Sequence, residues 1–62
     1  MTEYFDMPSD RIRKLIRRKV REYQLWEGID TDEARRVRET LKRQINSLSA
    51  VLAAREAQLF LL

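Results

Sequence analysis

Chain-breaking residues occur only twice in these 62 residues, at Pro8 and Gly28, and that spacing governs what the chain can fold into. Proline fixes φ and lacks an amide donor, and glycine is the commonest residue just past a helix end. One of each leaves too little turn material for a many-stranded β fold, which needs turn signals about every 8–12 residues. The remaining sequence is two uninterrupted segments on either side of Gly28.

The apolar spacing of both segments is helical. In the first, Ile12, Leu15, Ile16, Val20, Tyr23 and Trp26 step by three and four. Ser9 is the expected N-cap, and Asp10 stands at the positive end of the dipole. Gly28 is expected at C′, with Ile29 folding back towards Tyr23 in a Schellman arrangement. Asp30 is then expected to cap the second helix, with Glu33 three residues on completing a variant capping box. The second stripe is Ala34, Val37, Leu41, Ile45, Leu48 and Leu52. Opposite charges four apart (Asp32 with Arg36, Arg35 with Glu39, Glu39 with Arg43) each add a few tenths of a kcal/mol.

The sequence therefore predicts an all-α, antiparallel two-helix hairpin: an arm over 1–8, a helix over 9–27, a turn at 28–29 and a helix over 30–61. So short a connection leaves no room for parallel packing. Two helices alone make a thin core, so the hairpin is expected to pair with a second copy as a homodimeric four-helix bundle. A DNA-reading helix-turn-helix needs a third helix and a short recognition helix, and the second helix here is too long for one.

Helix lengths set up a further expectation. At about 1.5 Å per residue the first helix spans about 28 Å and the second about 49 Å. Folded about Gly28, the first runs out opposite residue 49. The segment beyond, AVLAAREAQLFLL, is apolar around its whole circumference, which asks for cover. The arm, carrying Tyr4, Phe5 and Met7, is one source of it. A second copy or another protein docking on Leu52, Leu59, Phe60, Leu61 and Leu62 are the others.

Charge is concentrated in the first helix. The chain has 13 Lys or Arg and 10 Asp or Glu, for a net charge of +3. Residues 9–27 alone carry seven basic and three acidic side chains. Arg11, Arg13, Lys14, Arg17, Arg18 and Arg21 fall on one arc opposite the apolar stripe, and Lys19 alone intrudes on the apolar side. Such a face suits an acidic protein surface, a phosphate backbone or an anionic membrane. The arc holds no aromatic residue to stack on bases, and a membrane would compete with the second helix for the apolar face. Candidate binding residues are Arg13, Lys14, Arg17, Arg18 and Arg21.

Composition weighs against chemistry. Cys and His are both absent, which removes disulfides, thiol nucleophiles, zinc-finger spacing and imidazole acid–base catalysis together. Asp30, Asp32 and Glu33 are adjacent but read as caps, so no metal site, cofactor or small-molecule substrate is expected, and no enzyme. The opening MTEYFDMPSD lacks the basic and apolar regions of a secretory signal, and no apolar run approaches the roughly 18 residues of a membrane span. A cytoplasmic protein is expected.

At IDTDEARRVRETL the chain resembles the Rop family of plasmid repressor-of-primer proteins, through Asp30, Asp32, Glu33, Glu39 and Leu41, with Leu48 in phase. The resemblance covers the turn and the start of helix two. It implies two hairpins paired into a four-helix bundle whose helix-one faces bind paired RNA loops. Lys19, Glu22, Arg38 and Arg55 stand where that family's register is apolar, so no RNA site is transferred. The expectation is a small phage- or plasmid-type regulator that dimerises and binds a host or regulatory protein through its basic face. RNA or DNA binding through the same arginines is the alternative, and a structural subunit docking through its C-terminal turns is a third class.

Overall fold

The computed structural model describes residues 6–61, with side chains described as far as Leu59. The expectations placed on Tyr4, Phe5 and the side chains of Phe60, Leu61 and Leu62 lie outside the described residues. Two helices, α1 (Ser9–Trp26) and α2 (Asp32–Leu61), pack against each other along an envelope of 47 × 19 × 17 Å. No strand occurs among the described residues. Thirty residues of α2 at about 1.5 Å each account for the long axis.

Both ends of α1 and the start of α2 depart from expectation in detail. Pro8, not Ser9, is the N-cap of α1, with φ −61° and ψ 146° and no side-chain cap bond. Its carbonyl opens the ladder by accepting from the amides of Arg11 (3.0 Å) and Ile12 (3.1 Å). The ring presets φ, so the helix starts directly after the proline and Ser9 becomes its first residue. The Ser9 hydroxyl accepts instead from Arg55 Nη1 at 3.1 Å.

At the other end Glu27 is the C-cap, in right-handed helical geometry with φ −60° and ψ −38°. No glycine adopts positive φ, so the expected Schellman motif is not formed, and Ile29 is left 43% exposed. Short amide bonds from Glu27 to the Gln24 carbonyl (3.4 Å) and from Ile29 to that of Trp26 (3.2 Å) close the last turn instead.

The second helix begins at Asp32 rather than residue 30 because Thr31 caps it. The Thr31 hydroxyl accepts from the Ala34 amide at 3.0 Å, and its carbonyl accepts from Arg35 at 3.0 Å. Asp30 stays outside, in an exposed ion pair with Arg35 at 3.6 Å. Asp32 and Glu33 occupy the first turn, where negative charge suits the dipole.

The seam holds Ile12, Ala34 and Leu48 fully buried and Leu41 at 5%. Leu15, Ile16, Tyr23, Trp26, Val37, Ile45, Val51 and Leu52 are half-buried around them. Three cations at positions where a bundle interior would be apolar are all tied across the hairpin. Lys19 Nζ donates to Gln44 Oε1 at 2.8 Å, Arg55 reaches Ser9, and Arg38 Nη1 donates to the carbonyls of Trp26 and, at 2.8 Å, Ile29. Among the described residues no buried side-chain polar atom lacks a partner.

These bonds fix a register different from the one the sequence suggested. The partners Ser9 with Arg55, Lys19 with Gln44 and Trp26 with Arg38 have residue numbers summing to 63 or 64. The start of α1 therefore lies opposite residue 55, not 49. The cause is the connection, which runs over 27–31 as a five-residue excursion and delays the return of α2. The uncovered end of α2 is correspondingly shorter, and Leu52 sits inside the covered span.

Candidate functional site

The basic face is displayed by α1 alone. The apolar stripe is held against α2 except at Val20, which lies 37% exposed at its edge, and Arg11, Arg13, Lys14, Arg17, Arg18 and Arg21 are all turned to solvent. Lys19 lies in the seam, as its intrusion on the stripe implied. Of the six exposed cations only Arg13 is ion-paired among the described residues, with Asp10 at 3.3 Å and Glu56 at 3.8 Å. Arg13 is thus a bridge to α2 as much as a free charge. Arg17, Arg18, Arg21, Lys14 and Arg11 hold their charges within three turns of helix, a span of about 15 Å, so their fields overlap at physiological salt, where screening acts over about 8 Å.

The six cations form two edges. Arg13, Arg17 and Arg21 follow one another four apart on the side nearest Glu56. Arg11, Lys14 and Arg18 run along the other side, where Met7 lies beside the helix. There they line a groove of about 310 Å³ together with Met7 and Leu15. Met7 and Leu15 are half-buried, so the groove has an apolar floor and a cationic rim.

The sequence placed Leu15 on the apolar stripe and Met7 in the arm, with no role for either beside the cations, and gave Leu25 none at all. Leu25 is 74% exposed and lies seven residues beyond Arg18, on the same edge. The signal was present in the period: at 100° per residue Leu25 falls off the apolar stripe and among the cations.

The C-terminal candidates separate. Leu52 is half-buried within the hairpin, whereas Leu59, on the same stripe but beyond the start of α1, is 73% exposed. Among the described residues no group of acidic side chains could hold a metal ion, and no helix is long and apolar enough to cross a membrane. Tyr23 and Trp26 are half-buried on the side facing α2 rather than on the basic face.

Compared with known protein families, with curated proteins and with solved structures, the chain matches none.

Proposed function

We propose that this chain is a small non-enzymatic interaction protein, of the phage- or plasmid-regulator kind, that pairs with a second copy and binds an acidic protein surface in the cytoplasm. The observation that carries the reading is the charge left unspent on α1. Arg11, Lys14, Arg17, Arg18 and Arg21 are exposed on one rigid helix face with no ion pair among the described residues. Uncompensated like charges at this density repel one another and favour an anionic partner. The placement of Tyr23 and Trp26 against α2 supports a protein over a nucleic acid, because base stacking needs aromatic rings on the binding face.

Self-association has its own support in the thinness of the seam. Among the described residues Ile12, Ala34, Leu41 and Leu48 are the buried apolar side chains, and two helices around so small a core are marginal alone. A second hairpin packed on the half-buried flanks of the seam would form the four-helix arrangement.

Titration into labelled polyglutamate, duplex DNA and hairpin RNA at low and physiological salt tests the reading, with light-scattering mass recorded alongside. The expected result is a mass twice that of the 7.5 kDa chain, with tightest binding to the acidic polypeptide. The R17E/R18E variant should lose that binding and keep its helix content. A log–log salt slope of about −3 to −5 with preference for one nucleic acid would put phosphate recognition in its place.

A further inference from the structure

The cationic edge containing the groove is chemically different from the rest of the basic face, and the difference specifies a partner more narrowly. We propose that the groove between Met7 and Leu15 seats one apolar side chain of an acidic helical segment, whose carboxylates pair with Arg11, Lys14 and Arg18. This rests on the reading of α1 as a surface for an acidic protein.

Arg11, Lys14, Leu15 and Arg18 occur at i, i+3, i+4 and i+7, so they form one continuous stripe of helix surface. The groove of about 310 Å³ that they line with Met7 is large enough for a single aliphatic side chain. Three cations around an apolar floor complement a ligand of the opposite arrangement: an apolar side chain ringed by carboxylates. A phosphate backbone would satisfy the rim and leave the floor in water, so the floor argues for polypeptide.

The stripe continues past Glu22 to Leu25, which is 74% exposed. Leu25 lies ten residues from Leu15, about 15 Å along the helix, so a segment of three to four turns would span both. Glu22 is exposed between them and repels carboxylate there. The charge order of the stripe therefore sets the direction of charge in the ligand: acidic residues towards Met7, neutral or basic ones towards Leu25. On the opposite edge Arg13 is already engaged by Asp10 and Glu56.

Two labelled helical peptides of identical net charge separate this proposal from the reading beneath it. One carries a leucine flanked by glutamates a turn away on each side, and the other has serine in place of that leucine. Fluorescence anisotropy should show the leucine peptide binding about 10-fold tighter, as expected for seating part of a leucine side chain. R11E/R18E should abolish that preference. R17E/R21E should weaken both peptides while leaving the preference intact, and circular dichroism checks that both variants, altered only at exposed positions, stay helical. Equal affinity for the two peptides overturns the groove proposal and leaves the acidic-partner reading standing. Loss of the preference in R17E/R21E and not in R11E/R18E overturns it as well. Absence of binding to either peptide at low salt, or tighter binding of a hairpin RNA, overturns both.

Discussion

Replacing Arg38 by methionine isolates the contact that closes the hairpin. Its guanidinium, rooted on α2, donates to the carbonyls of Trp26, the last residue of α1, and of Ile29 in the connection. That end has no basic residue of its own in the last turn, so Arg38 supplies the positive charge the dipole favours there. A charge-assisted hydrogen bond contributes about 1.5–3 kcal/mol when partly buried. The bond to Ile29 is exposed and counts for little, and the Trp26 carbonyl keeps the Ile29 amide at 3.2 Å. Methionine preserves the aliphatic stem, so the loss reduces to about 1.5 kcal/mol. For a domain of this size that corresponds to a Tm lower by about 6–12 °C, at about 4–8 °C per kcal/mol. Against a total stability of about 3–9 kcal/mol for such a length, the loss is easily measured. Thermal denaturation followed at 222 nm, at matched chain concentration because self-association shifts Tm, gives the value. R38K should recover only part of it, since one ammonium cannot reproduce the planar fork. A Tm for R38M within about 2 °C of the parent would refute the assignment of Arg38 as the clasp of the turn, because that is under about 0.5 kcal/mol.

Gly28 has no positive φ and a Cβ built on it meets nothing within 4 Å, so G28A should be neutral or stabilising by up to about 1 kcal/mol, read from urea midpoints. T31A should cost about 1 kcal/mol through loss of the cap on the Ala34 amide. D30A, which breaks only an exposed ion pair with Arg35, should cost less than about 0.5 kcal/mol in the same assay; the reverse order would return the cap to Asp30. L48A empties a fully buried position and should cost about 2–5 kcal/mol, the largest loss of the set, read as a fall in the urea midpoint.

Helices, their approximate limits and the basic face were legible in the sequence, because each depends on residues within a few positions of one another. A 3.6-residue period places Ile12, Leu41 and Leu48 on buried stripes and Arg17 and Arg18 outside them whatever the second helix does. It also put Lys19 on the apolar side, where the structure finds it bonded to Gln44. The groove was half legible: Arg11, Lys14 and Arg18 were on the arc, but that Met7 lies beside them is decided by the tertiary structure.

Tertiary structure decided what local chemistry left degenerate. Asp30 and Thr31 are both competent caps one residue apart, and the choice fell to Thr31. A glycine after a helix permits a left-handed turn without requiring one, and Gly28 did not take it. The register then followed from the longer connection and from long-range bonds that no local pattern ranks: Arg38 to Trp26, Lys19 to Gln44 and Arg55 to Ser9. Sliding one helix along the other by a turn keeps both apolar stripes in contact, so hydrophobic burial alone selects the faces but hardly the alignment. Directional hydrogen bonds from long side chains select the alignment, and these can be counted only once both helices stand side by side.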